Sequence, residues 1–169
     1  MHNPGDIVLF KPDGPPQILD RNGFVYWMIQ KATNGPFVHV EIYLGDNQWI
    51  GAHTNGISLD IVAEDAGHIW ITPQATPSNI AKAIEWAKSQ VGREYGWNDI
   101  ATSGVSFIAK KVFKQTNRWY VPDTDAMDCS DFVTQYLREA DALPPDLVPY
   151  KDTPELVSPN DIARAYHII

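Results

Sequence analysis

Hydrophobic and polar positions follow a strand-like pattern along the first half of the chain. A short apolar run, Ile7 to Phe10, follows a Pro-Gly-Asp turn and precedes a segment rich in proline and glycine. Phe24 to Ile29 is a second apolar stretch. Apolar runs bounded by turn residues predict strands, so we expect residues 1–72 to be rich in β-structure.

The clearest strand pattern is FVHVEIYLGDNQWIGAH, residues 37–53, which predicts a β-hairpin with its turn at residues 45–47. With the turn centred on Asp46, three opposed pairs follow: Ile42 and Ile50, Glu41 and Gly51, His39 and His53. This register keeps the apolar positions of both strands on one face. His39 and Glu41 then lie together on the other, less apolar face.

The apolar spacing changes to a helical period in the second half. Thr76 before Pro77 predicts a helix start, and Gly92 predicts the end of that helix. Its predicted apolar stripe consists of Ile80, Ile84, Ala87 and Val91. Residues 158–161, Ser-Pro-Asn-Asp, predict the start of a last helix with a capping box.

A further helix is predicted to begin at Cys129, directly after Asp128. Its inward positions follow the i, i+3, i+4, i+7 spacing: Cys129, Phe132, Val133, Tyr136, Leu137 and Ala140. A helix N-terminus carries partial positive charge and free backbone N–H groups, which favour a thiolate and can bind an oxyanion. Asp128 and Asp131 oppose a thiolate, so a nucleophilic Cys129 needs an adjacent imidazole.

Composition narrows the possible functions. The chain has 169 residues, which fits one domain over residues 1–169. Strands over 1–72 followed by helices over 77–169 predict the α+β class. The net charge of −8 excludes a general nucleic-acid binder. A single cysteine excludes an internal disulfide and a thiolate zinc site, and we predict no metal or cofactor. No leader pattern and no apolar run of about 20 residues is visible, so we expect a cytoplasmic protein without an integral membrane segment.

Judged by its place in the predicted elements alone, each candidate residue could have a purely structural role. Cys129 fits a small buried hydrophobe on a core-facing helix. His39 and Glu41 fit polar residues of an exposed sheet face. The residues that flank these candidates carry more information.

These flanks resemble the NlpC/P60 superfamily of papain-like cysteine hydrolases. The nucleophile block of that family is similar to WAKSQVGREYGW followed by DCSDFVTQYL, and its base block is similar to PGDIVLF followed by HVEIYLGDNQWIGA. The histidine block comes first here, which is the order of the circularly permuted branch. Within that branch the sequence looks closer to the YiiX-like proteins than to the lecithin:retinol acyltransferase-like proteins. The similar segments cover residues 3–60 and 80–165.

The resemblance implies a permuted papain-like fold, with an antiparallel sheet or small barrel packed against helices. It implies that Cys129 is the nucleophile and His39 the general base, and it places Tyr95 at the border of the cleft. We assign Tyr95 and His53 to substrate binding. The family has a third polar residue that orients the histidine, but this chain has Gly51 there.

Glu41 stands where the family usually has glycine, and in the predicted register it faces Gly51. We therefore hypothesise that the two positions are exchanged, so that the carboxylate that orients His39 comes from Glu41, across the hairpin from the family's usual position at Gly51. His53 is the alternative partner of His39.

The resemblance implies a thiol hydrolase that cleaves an amide or ester. The candidate substrates are a small peptide, a peptidoglycan fragment or a lipid acyl group. An acyltransferase and a ligand-binding module without turnover are the alternatives. Residues 97–127 are predicted either to complete the core or to form an apolar roof over the cleft.

Overall fold

Five strands form one open sheet. A computed structural model of the protein describes residues 2–12, 27, 29–31, 33–53, 55–61, 68–94, 127–150 and 157–169. Its strands are β1 (Ile7–Phe10), β2 (His39–Gly45), β3 (Gln48–His53), β4 (Gly56–Ile61) and β5 (Ile69–Ile71). The order is β4-β3-β2-β1-β5, and every neighbouring pair is antiparallel. With the helices packed on it, this sheet confirms the predicted α+β class.

The helices whose bounds the structure describes follow the strands along the chain. They are α1 (Pro77–Ser89), α2 (Cys129–Glu139), a 3₁₀ helix (Pro145–Tyr150) and α3 (Pro159–Ala165). Thr76 caps α1, and Ser158 and Asp161 form the predicted capping box of α3. In the described ranges, none of the helices combines the length and apolar character needed to cross a membrane.

Two local predictions were wrong. In the apolar stretch from Phe24 to Ile29, the described residues Trp27 and Ile29 are helical, as are Gln30, Lys31 and Thr33. An apolar run of this length fits a buried helical turn as well as a strand, so its length alone did not discriminate. Val91 is exposed, because α1 ends at Ser89 before the predicted stripe is complete.

The predicted hairpin is present. Ile42 pairs with Ile50, as the predicted register requires. Asp46 and Asn47 both have positive φ, which allows the tight turn between β2 and β3. The register shifts between Tyr43 and Gly45, so this irregularity lies at the turn. At the other end of the hairpin, the ring centroids of His39 and His53 are 5.2 Å apart.

Strand alternation gives the sheet two faces of different chemistry. The aliphatic face packs with the helices into the main core and includes Ile7, Leu9, Val40, Ile42, Ile50, Ala52 and Ile57. The aromatic face includes Val8, Phe10, His39, Glu41, Tyr43, Trp49, His53, Asp60 and Trp70. Helix α2 packs against β2 and β3, which brings its N-terminus to the strands that carry the two histidines.

Candidate active site

Cys129 is the first residue of α2 and belongs to the buried core. All six predicted inward positions of this helix are buried, and Cys129 itself is 5% exposed. The Tyr136 hydroxyl donates to the Gly5 carbonyl oxygen at 2.9 Å, which ties α2 to the turn before β1. The Ser130 hydroxyl donates to the Val157 carbonyl oxygen at 2.9 Å. These contacts fix the position of the thiol.

Asp128 caps α2 and occupies part of its N-terminus. One oxygen of its carboxylate accepts the backbone N–H groups of Ser130 and Asp131, both at 2.8 Å. Two of the backbone N–H groups that were expected to be free for an oxyanion are therefore bonded to Asp128. In the first turn, the N–H of Cys129 itself is the one without a hydrogen-bond partner among the residues described.

Asp128 also interacts electrostatically with the histidine of the site. Burial raises the pKa of Asp128 above its usual value, while its hydrogen bonds and the charge of His39 act in the opposite direction. The helix start is thus an environment in which a carboxyl group, a thiol and an imidazole influence one another.

Glu41 lies on the aromatic face directly beside Gly51. Its side chain is buried, and a Cβ atom added to Gly51 would lie 2.7 Å from Glu41 Cγ and 3.2 Å from Glu41 Cδ. Both distances are shorter than an ordinary carbon–carbon contact of about 3.5–4.0 Å. Glycine at position 51 therefore leaves the space that the Glu41 side chain fills.

His39 lies between the carboxylate and the thiol. Its Nε2 is 2.8 Å from Oε1 of Glu41, and Cys129 lies close enough to the ring to raise the pKa of His39. Because Nε2 forms the hydrogen bond with Glu41, Nδ1 is the ring nitrogen that can interact with the thiol. The side chain of His39 is 20% exposed, so the imidazole is more accessible than the thiol.

The charges and hydrogen bonds around His39 favour the protonated form of its imidazole. Burial lowers the pKa of His39, but the charge of Cys129 and the hydrogen bonds to Cys129 and Glu41 outweigh it and raise the pKa to about 10. An imidazolium beside a cysteine is the partner that stabilises a thiolate. The group at position 39 is thus suited to hold and return a proton.

His53 is near His39 but is not its closest partner. The two ring centroids are 5.2 Å apart, and His53 Nε2 is 3.5 Å from Glu41 Oε1. His53 Nε2 lies closer to Asp60 Oδ2, at 2.8 Å. Sequence reasoning missed Asp60, although the alternation of Ile57, Leu59 and Ile61 with polar residues in β4 was a usable signal.

Aromatic rings border the site on the same face of the sheet. The Phe10 ring centroid is 5.5 Å from that of His39 and 5.7 Å from that of Trp49. Tyr95, predicted to border the cleft, lies outside the described residues. The same holds for the predicted roof at residues 97–127, apart from the buried Met127.

No protein-family model matches this chain, and no curated protein matches it significantly. The chemistry of the site is therefore inferred from the arrangement of Cys129, His39 and Glu41. A thiol lies at a helix start, an imidazole lies near it, and a carboxylate contacts the imidazole, which is an arrangement of residue types that thiol enzymes use.

Proposed function

We propose that the protein is a thiol hydrolase with a circularly permuted NlpC/P60-like, papain-like fold. Cys129 is its nucleophile, His39 its general base and Glu41 the residue that orients His39. The reaction is cleavage of an amide or ester bond through an acyl-enzyme. The histidine-bearing hairpin precedes the cysteine-bearing helix in the chain, as in the permuted branch that the sequence resembles.

One observation carries this proposal. The imidazole of His39 contacts Cys129 and, through Nε2, the carboxylate of Glu41 at 2.8 Å. A core cysteine needs neither contact, and a solvated strand carboxylate would not be buried as Glu41 is. The missing polar residue at Gly51 argues for a module without turnover, but the Glu41 side chain fills that space. This exchange supports the catalytic alternative.

The steps follow from the three groups. The Cys129 thiolate attacks the substrate carbonyl carbon, and the backbone N–H of Cys129 is available to the resulting oxyanion. The protonated His39 then gives its proton to the leaving amine or alcohol as the carbon–nitrogen or carbon–oxygen bond breaks. Neutral His39 next takes a proton from water, whose oxygen attacks the thioester. The carboxylic acid leaves, and the thiolate and imidazolium are restored.

The substrate class is an acyl compound: a small peptide, a peptidoglycan fragment or a lipid ester. Phe10 is only partly buried and supplies apolar surface near His39, which suits an acyl or apolar side chain. An acyltransferase would use the same first half-reaction and differ only in the acceptor. Adding a primary amine or a lysolipid during deacylation separates these two outcomes.

The test is formation and breakdown of an acyl-enzyme. Metal-free protein is mixed with p-nitrophenyl acetate, and its intact mass is followed with time. We expect one acetyl group on Cys129 that forms rapidly and is then lost by hydrolysis. Cys129→Ala should form no adduct. His39→Ala should acylate slowly and retain the acetyl group, because it cannot activate water.

Two results would contradict the proposal. The first is wild-type protein that is acetylated no faster than an ordinary peptide thiol. The second is an adduct that forms rapidly but persists equally long in the wild type and in His39→Ala. A panel of peptide amides, peptidoglycan fragments and lipid esters would then define the substrate of an active protein.

A further inference from the structure

Three potential metal ligands converge beside the thiol. They are His39 and Glu41 on β2 and His53 on β3, and their ligand atoms all lie within 4.8 Å of one another. Oε1 of Glu41 is 2.8 Å from His39 Nε2 and 3.5 Å from His53 Nε2. In a tetrahedral zinc site with bonds of about 2.0–2.2 Å, ligand atoms are about 3.3–3.6 Å apart. Small side-chain movements would therefore bring all three onto one ion.

Two buried atoms of this cluster lack a hydrogen bond. They are Oε2 of Glu41 and Nε2 of His53. His53 Nε2 is only 2.8 Å from Asp60 Oδ2, so the missing hydrogen bond reflects poor alignment rather than distance. Buried polar atoms are nearly always satisfied. Oε1 of Glu41 faces both imidazoles, and Oε2 of the same carboxylate has no partner among the described residues, so it is available to a cation.

The ligand set selects the class of ion. Two imidazole nitrogens and one carboxylate suit zinc and neighbouring divalent transition metals, whereas calcium and magnesium prefer oxygen ligands alone. Asp60 adds a further carboxylate at the border of the cluster, which increases its attraction for a cation. Gly51 places no side chain against Glu41 and His53, where an added Cβ atom would lie 3.3 Å from His53 Nε2.

We propose that His39, Glu41 and His53 form a binding site for one Zn²⁺-like divalent ion. This inference does not depend on hydrolase activity. An ion bound to His39 Nε2 would replace the proton shared with Glu41 and remove His39 as a general base. Metal binding and thiol catalysis therefore exclude each other at this residue.

The experiment is calorimetric titration of chelator-treated full-length protein with ZnCl₂, together with the absorption spectrum after addition of Co²⁺. We expect one ion per chain with micromolar or tighter affinity, and a Co²⁺ spectrum of low coordination number. His53→Gln should weaken binding by about 100-fold or more, since loss of an outer partner alone costs 10–100-fold. His167→Gln, which changes an exposed histidine outside the cluster, should bind as the wild type does.

Cys129→Ala keeps this test independent of the proposed function, because this variant has no nucleophile and should still bind one ion. Absence of binding to the wild type, or equal binding by His53→Gln and the wild type, would overturn the inference. Circular dichroism of His53→Gln checks folding. If this variant is unfolded, Glu41→Gln replaces it and should also lose the ion.

Discussion

The two faces of the sheet are formed by alternate residues of the same strands, yet they have opposite chemistry. The aliphatic face has Val40 and Ile42 from β2 and packs against helices. The aromatic face has His39 and Glu41 from the same strand, with the carboxylate buried. Burying a carboxylate costs several kcal/mol unless it is paired. The first face therefore contributes to stability, whereas the second holds a buried carboxylate whose cost must be offset by its histidine partners.

Replacing Ile42 by alanine tests the stability role of the aliphatic face and should have the largest effect. Ile42 is fully buried, so Ile42→Ala should lower the free energy of unfolding by about 2–5 kcal/mol. Leu59 lies on the same face but is 51% exposed, and Leu59→Ala should cost no more than about 0.5 kcal/mol. Urea unfolding measures both values. Equal losses would refute the stability role.

Adding one methyl group at Gly51 tests the packing of the aromatic face. Gly51→Ala places a Cβ atom where Glu41 Cγ is 2.7 Å away, so it should cost about 1–3 kcal/mol of stability and displace Glu41 from His39. In a Glu41→Ala background the same change should cost less than about 0.5 kcal/mol. An equal cost in both backgrounds would show that Glu41 does not occupy this space.

Neutralising Glu41 tests the chemical role of the aromatic face without changing its packing. Glu41→Gln keeps a hydrogen-bond acceptor for His39 but removes the charge that stabilises the imidazolium. Alkylation of Cys129 at pH 6 should slow by about tenfold, or about 1.4 kcal/mol.

Asp60→Asn is the matched control for Glu41→Gln. Asp60 contacts His53 rather than His39, so its loss should change the alkylation rate by less than about twofold. A normal rate in Glu41→Gln would remove Glu41 from the mechanism. A slow rate in His53→Ala would then favour His53 as the partner of His39.

The pH dependence of stability tests the charge that His39 carries on the aromatic face. The pKa of His39 is raised from 6.5 to about 10, so the protonated ring stabilises the fold fully below pH 6.5. This contribution is lost as the pH rises through about 10. The stability difference between the wild type and His39→Gln should therefore shrink between pH 6 and pH 10.5 in urea unfolding. A constant or growing difference would contradict the raised pKa.

Local patterns predicted the elements of the site better than its contacts. The inward face of α2 and the pairing of Ile42 with Ile50 follow from period and turn chemistry, and both are confirmed. The place of Glu41 beside Gly51 followed from the same register. Sequence spacing also predicted free N–H groups at the start of α2, but the capping role of Asp128 was overlooked.

Contacts between separate elements could not be derived in this way. Asp60 lies near His53 because β4 pairs with β3, and the Asn55-Gly56 dipeptide is a hairpin signal that sequence reasoning did not use. The contact of Cys129 with His39 depends on how α2 packs on the sheet, which tertiary packing decides rather than local propensity. The resemblance supplied that pairing, and its catalytic role stays a prediction.

The pH profile of Cys129 alkylation by iodoacetamide tests the central claim most directly. An ordinary thiol with a pKa of about 8.5 is only about 0.3% ionised at pH 6. Chelator-treated wild type should react at pH 6 almost as fast as at pH 8.5, and so should His2→Ala, whose histidine stacks on Trp70. His39→Ala should react about 100-fold more slowly at pH 6 and recover only above about pH 8.5. Superimposable profiles for the wild type and His39→Ala would contradict the account.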